Sequence, residues 1–319
     1  MSVETFFKMF PPPAFLAMPH AGLDISDDAV RCLMYGSSFG RTRIKSFAAS
    51  SIPEGLMHEG ETRDQAKFIE LLSTFAKKSH LKYVKVSIPE EKAYLFQTDV
   101  PTADMHSIRQ NIESKLEVNV PLAAQDALFD FDILPQANEN APLRASVSVV
   151  PRSYIEHLIA MLRAARMEPI SFEVVPRALA HIIIPPHSTD TVMIVHLMEH
   201  KTGIYIVSGG VVCFTSTLNR EGVGDNAKLD PVDLLSQEIS RINEYWVSHP
   251  NSLPVTQIKL VGKTALEYEK GLDLSKVGLS IPVSVAQVWS NVCKPSYVPP
   301  IRRADSFAYA VAAGLALPS

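Results

Sequence analysis

Between Gly22 and Ser50 apolar and polar residues alternate with the period of a β-strand, broken at Asp27-Asp28 and again at Gly36–Gly40. The pattern predicts three strands, Gly22–Ser26, Ala29–Tyr35 and Arg41–Ser50, joined by tight turns. The period then changes. Phe68, Leu71, Leu72 and Phe75 recur at helical spacing, with Thr62 and Gln65 placed as a capping box. A strand at Val84–Ile88 restores the alternation, with Val84, Val86 and Ile88 set against Lys85 and Ser87. The second half repeats this order. Strands Thr191–Leu197, Gly203–Val207 and Val211–Thr217 precede a helix that starts at Asp230-Pro231, Asp as N-cap and Pro at the first helical position. Its apolar stripe is Leu235, Ile239, Ile242 and Trp246; a strand at Gln257–Gly262 and a final apolar helix, Phe307–Leu317, follow.

Between the repeats lies a different pattern. A strand (Ala93–Thr98) leads to a helix carrying Met105, Ile108, Ile112 and Leu116, then to a strand where Phe129, Phe131 and Ile133 alternate with Asp130 and Asp132. The strand Leu143–Val150 and a helix after Pro151 complete a small half-open sheet with helices on one face, about Glu90 to Met167. Asp130 and Asp132 share one strand face about 7 Å apart and read as a solvated outer face. A strand at Ile170–Val175 and a helix at Pro176–Ile184 close the first half, and Pro185–Ser188 reads as a hinge. Tandem duplication of this kind places a cleft between the halves, where ligands bind.

Composition narrows the functional classes. The 319 residues are 46% apolar and 20% charged, which excludes wholesale disorder. With 30 basic and 34 acidic residues and no run of Lys or Arg, the chain offers no footprint for nucleic acid. The cysteines Cys32, Cys213 and Cys293 form no CxxC pair, so neither a disulfide framework nor a zinc site is supported, and Cys32 and Cys213 read as core. No stretch reaches the roughly 18 apolar residues of a membrane span, and a cytoplasmic address is expected. His196-Leu-Met-Glu-His200 matches the spacing of a helical zinc-protease motif, yet β-branched flanks place it at a strand-to-turn junction. His196 therefore reads as a strand-end residue, and Trp246 as helix core. Val3, Phe6, Phe7 and Phe10, followed by Pro11–Pro13, make an N-terminal stub that either packs on its own domain or serves as an aromatic foot for a partner or a membrane surface.

Several segments, taken in order, resemble one family. They are Phe10–Ser26 with its Pro-Pro-Pro-Ala-Phe-Leu-Ala-Met-Pro-His-Ala-Gly-Leu-Asp-Ile run, Val86-Ser-Ile-Pro89, Ile108–Leu134, Val211–Gly222, and Ala308–Leu317 ending Ala-Gly-Leu-Ala-Leu. Together they resemble the PilM family of type IV pilus assembly proteins over nearly the whole chain. The resemblance implies a duplicated α/β actin-like fold of the FtsA type. It would comprise an N-terminal tail (1–20), a first subdomain (21–89 with 168–186), an inserted α+β subdomain (90–167), and a second subdomain (187–319) in which 219–255 is a reduced remnant. It also implies a cytoplasmic scaffold that holds the N-terminal peptide of a PilN-like inner-membrane protein between the first and inserted subdomains. Pilus motor ATPases would be further partners, and membrane association would be indirect. Tyr94, Phe96, Ile108 and Ile112 are the candidates by position for lining that groove.

The same resemblance implies a nucleotide cleft formed by Asp24, Ser26 and Asp27 in the first half and His196, Gly262 and Lys263 in the second. The match is imperfect. Asp27-Asp28 replaces a small Gly-containing turn, where like charges 4 Å apart repel by about 4 kcal/mol at an effective dielectric of 20. His196 stands where ATP-using relatives carry Asp, only Gly262 survives of the adenosine-side turn, and Arg220-Glu-Gly-Val-Gly224 reaches the Asp230 helix within a few residues. The expectation is a degenerate cleft with no catalytic residue, no metal and no cofactor. An ATPase using ATP with magnesium is the alternative, and a peripheral membrane module a remote one.

Overall fold

The computed structural model describes residues 19–38, 41–101, 104–135, 142–219, 230–249, 252–294 and 296–317. The aromatic stub and the Arg220–Gly224 segment lie outside them. The first half opens with β1 (Ala21–Ile25), β2 (Ala29–Ser38) and β3 (Arg41–Ser51), followed by a two-residue ladder of β4 (Met57–His58) and β5 (Glu61–Thr62). Helix α1 (Gln65–Ser79) is capped by Asp64, whose carboxylate accepts from Lys67 N at 3.1 Å. This corrects the capping box placed at Thr62: the Asp64 carboxylate, immediately before the helix, satisfies its orphan N–H, while Thr62 Oγ1 accepts from Asp64 N. Phe68, Leu72, Phe75 and Ala76 of α1 bury against Leu23, Val84 and Val86, the last two on β6 (Tyr83–Ile88).

The chain then leaves this layer. β7 (Tyr94–Asp99), α2 (Met105–Glu113), α3 (Leu116–Asn119), β8 (Ala127–Ile133) and β9 (Arg144–Pro151) form a separate unit, with an antiparallel sheet in the order β7-β9-β8. Helix α4 (Arg152–Ala164) returns to the first layer, where β10 (Glu168–Val174) and α5 (Val175–Ile183) complete it. The second half consists of β11 (Thr191–Leu197), β12 (Lys201–Ser208), β13 (Val211–Asn219), α6 (Pro231–Ser248), β14 (Gln257–Gly262), α7 (Ala265–Gly271) and β15 (Val283–Val285). The predicted terminal helix is broken into α8 (Arg303–Ser306), a 3-10 turn and α9 (Ala310–Leu315).

Duplication is written in the hydrogen bonding. The sheets run β10-β6-β1-β2-β3 and β13-β12-β11-β14-β15. In each, the first three strands of the block pair antiparallel and the fourth and fifth add in parallel. Where the halves meet, glycine lets backbones touch. A Cβ on Gly314 of α9 would sit 1.9 Å from the Ala178 carbonyl of α5, and one on Gly22 of β1 would sit 2.0 Å from the Ala312 carbonyl. The last helix is therefore wedged between β1 and α5 and ties the end of the chain to its beginning.

The inserted unit has its own core of Ile108, Ile112, Leu116, Phe131, Ala145, Val147 and Val149. Its outer carboxylates do not simply face solvent, as the alternation suggested. Arg177 of α5 donates to Asp130 Oδ2 at 2.9 Å and to Asp132 Oδ1 at 3.0 Å, fastening the insert to the first half. The insert also reaches the second half: Gln97 Nε2 donates to the Cys213 carbonyl at 2.8 Å and Ser146 Oγ to that of Val212 at 2.5 Å.

Candidate functional site

Two concave regions border the Pro89–Lys92 connection between the first subdomain and the insert. The first is the cleft between the halves, at the carboxyl ends of β1 and β11. Asp24 lies directly opposite Arg31 in the β1–β2 register. Ser87 Oγ donates to Asp24 Oδ1 at 3.1 Å, and the Arg31 guanidinium is 3.9 Å from Oδ2. Burial pushes the Asp24 carboxyl up to about 6, with Arg31 and Ser87 acting against it. Arg31 also donates to Ser26 Oγ at 3.1 Å and to Asp28 Oδ2 at 2.8 Å. Burial raises Asp28, but Arg31 and the Ser26 hydroxyl outweigh it and hold that carboxyl below its ordinary value. Asp27 turns outward and accepts the backbone N–H groups of Glu59 and Gly60 at 3.2 and 3.0 Å.

From the second half, Lys201 enters the same space. Its ammonium lies 3.5 Å from Asp27 Oδ2 and bonds Glu91 Oε1. Tyr205, fully buried, donates to Glu90 Oε1 at 2.9 Å. Gly203 makes room for that ring, since a Cβ there would fall 2.0 Å from Tyr205 Oη. His196 Nδ1 has no hydrogen-bond partner among the described residues. Burial first, then Lys201 and Arg31, push the imidazole down to about 3, so it is neutral near pH 7. Gly262 adopts a φ of +108°, and a Cβ there would fall 2.2 Å from the Leu197 carbonyl. Its retention is a demand of β11–β14 packing. Lys263 pairs with Glu199 at 2.9 Å on the exposed rim.

All six residues expected from the sequence, Asp24, Ser26, Asp27, His196, Gly262 and Lys263, thus line one space, a cavity of about 50 Å³. Sequence reasoning missed Arg31, Lys201, Tyr205, Glu90 and Glu91. Only the Asp24–Arg31 pairing was accessible in advance, through the register of the first hairpin.

Glu90 is pushed up to about 7, by burial and then by Glu91, with Lys201 and Tyr205 opposing. An acid with a raised folded-state pKa stabilises most below its unfolded value and loses that contribution as pH rises through the folded one. His196 acts in the opposite sense, favouring the fold as pH rises toward its ordinary range. Glu90→Gln is therefore expected to gain about 2 kcal/mol relative to the wild type between pH 5 and pH 8. Urea unfolding at the two pH values measures it; parallel profiles would remove Glu90 as the titrating group.

The second region is a groove of about 590 Å³ between the first subdomain and the insert. Met57, Phe68, Tyr154, Leu158 and Met161 supply its apolar lining, with Glu61, Glu91, Lys92 and His157 among its polar residues. Of the four residues expected there, Tyr94 lines it and is 40% exposed. Ile108 and Ile112 do not: both are buried in the insert core, and Phe96 packs against that core. The three-stranded sheet has one helical layer to cover it, and that layer consumes the apolar stripe of α2.

A family model described as type IV pilus assembly protein PilM matches residues 22–224. The chain belongs to the PilM family. Among solved structures, the PilM-PilN type IV pilus biogenesis complex matches with a TM-score of 0.75 at 17% identity, covering 94% of this chain and 98% of that one. The cytoplasmic domain of EpsL, an inner-membrane component of the type II secretion system of Vibrio cholerae, matches with a TM-score of 0.50 at 10% identity, covering 93% of each chain. The ethanolamine utilization protein EutJ of Carboxydothermus hydrogenoformans gives 0.50 at 12% identity, covering 96% of this chain and 90% of that one. No curated protein matches in sequence. With these neighbours the duplicated sheets are those of the actin-like ATPase fold that the PilM resemblance implied. Among the described residues no helix is long and apolar enough to cross a membrane.

Proposed function

We propose that this PilM-family chain is a cytoplasmic scaffold of pilus assembly that holds the N-terminal peptide of a PilN-like membrane protein in the groove beneath Tyr94. The observation that carries this reading is the contrast between the two concave regions. The groove, at about 590 Å³, has the size of a ligand site and apolar walls for side-chain anchors. The cleft, at about 50 Å³, is far below the roughly 300–1,000 Å³ of small-molecule sites, and Arg31 and Lys201 already pair with its Asp24, Asp28 and Asp27 carboxylates. The match to a solved PilM–PilN complex supports the choice of partner. In this reading the nucleotide site is degenerate, the subdomain borders fall near 89/90, 167/168 and 186/187, and the membrane and the motor ATPases are met through partners. Asp24, which lines the cleft, favours the second reading, an ATP-binding switch.

Calorimetry of the purified chain tests both. The N-terminal peptide of the PilN-like protein is expected to bind, and Ser153→Arg, which fills the groove from an exposed position, to weaken it at least about tenfold. ATP with magnesium is expected to give no heat at millimolar concentration. Absence of peptide binding at high micromolar concentration overturns the scaffold reading. Micromolar, magnesium-dependent ATP binding establishes the second.

A further inference from the structure

Pro89 lines both the groove and the cleft, and the 3-10 turn that follows it, Glu90–Lys92, distributes its side chains between them. Glu90 faces Tyr205 in the cleft, Lys92 pairs with Glu61 across the groove, and Glu91 lines the groove while bonding Lys201, which lines the cleft. Its side chain lines the groove, yet its partner Lys201 comes from β12 of the second half. Both side chains of that pair are largely covered, 19% and 14% exposed. We infer that Glu91 reads positive charge on the groove's occupant, exchanging Lys201 for a cation of the guest and so loosening the latch between the two halves. The inference rests on the groove reading above and names the chemistry of the peptide, which carries an ammonium or guanidinium at the Glu91 end.

Two observations support the exchange. Asp27, Glu61 and Glu91 all act on the Tyr154 hydroxyl, which burial, and then these three carboxylates, drive above its ordinary pKa. The Glu91 end of the groove therefore holds excess negative potential even with both lysines in place, and a cationic guest is favoured over a neutral one. Lys201 is not stranded when Glu91 leaves it, because Asp27 Oδ2 already lies 3.5 Å away and Glu90 also acts on it. An occupant without charge offers Glu91 nothing in return and leaves the latch as it is. Linkage then requires reciprocity: whatever frees Glu91 from Lys201 tightens binding of the charged guest.

The test uses the full chain and two fluorescent peptides, read by anisotropy. One carries the N-terminal twelve residues of the PilN-like protein; the other is the same peptide acetylated, with each Lys replaced by norleucine and each Arg by citrulline. The charged form is expected to bind about tenfold more tightly. Glu91→Gln should bring that ratio within about twofold, and Lys201→Met should raise affinity for the charged form over the neutral one. Amide exchange at Leu197–Thr202 should accelerate with the charged peptide and not with the neutral one. Equal affinities, a charge ratio that survives Glu91→Gln, or exchange indifferent to peptide charge overturns this inference alone. Failure of both peptides to bind overturns the groove reading and this inference with it.

Discussion

Gly314→Ala is expected to abolish stable folding or to cost more than about 4 kcal/mol, beyond the range of ordinary overpacking. The added methyl carbon would stand 1.9 Å from the Ala178 carbonyl oxygen, a backbone atom of α5 that no rotamer change can remove. Relief requires α9 and α5 to separate. Separation is opposed on the other side of α9, where Gly22 of β1 meets the Ala312 carbonyl just as closely. Ala312, Ala313, Gly314, Leu315, Ala178 and Leu179 are all buried, so a gap opened there forfeits packing in the core that joins the halves. Gly55→Ala is the control. It has a φ of +76° but nothing within 4 Å of the added atom, so its cost is the backbone penalty of about 1–2 kcal/mol. Urea denaturation of both variants measures the contrast. A wild-type midpoint for Gly314→Ala would sink the account of α9 as a wedge.

Arg31→Met comes next in size, with an expected loss of about 3–5 kcal/mol at pH 8. The guanidinium sits between Asp24 and Asp28, 14% exposed, and removing it leaves the buried Asp24 and the half-buried Asp28 without their counter-charge. The cost must depend on pH in a defined direction. Asp24 already titrates at about 6 with Arg31 present, because burial penalises its anion, and loss of Arg31 raises it further. Below that range the carboxyl is neutral and needs no partner, so the penalty should shrink at pH 5. Asp24→Asn on its own is expected to be mild. Combined with Arg31→Met it should restore part of the loss, giving a coupling energy of about 1–3 kcal/mol in a double-mutant cycle. A penalty equal at pH 5 and pH 8, with no rescue by Asp24→Asn, would show that Arg31 acts through packing alone.

Much of this protein was legible in its chain. Alternation at Gly22–Ser50 and Thr191–Thr217 marks hairpins whose registers carry the two sheets, and the helical stripes Phe68–Phe75 and Leu235–Trp246 bury as their spacing demands. Such periods are local, and side-chain direction in a strand or helix follows from the backbone repeat. The six cleft residues were placed together by analogy with a duplicated fold and do meet around one space. The groove candidates fared differently. Apolar residues at helical spacing show which face of α2 is buried but not against what, and Ile108 and Ile112 proved to be spent on the insert's own sheet. Asp130 and Asp132 were read as solvent-facing because alternation shows a polar face and is silent on an arginine arriving from α5.

The sequence by itself determined most of the elements, their duplicated order, the family and the near-balance of charge. Those properties depend on neighbours along the chain or on sums over it. Only the tertiary structure decided that Lys201 pairs with Glu91 and Asp27, that Tyr205 donates to Glu90, and that Gly22 and Gly314 lie where backbones touch. Glu90 and Tyr205 are 115 positions apart, and Glu91 and Lys201 are 110 apart. No local period encodes such meetings. They arise when two sheets pack and the cost of burying a charge or a phenol is met by whichever partner the packing brings within reach.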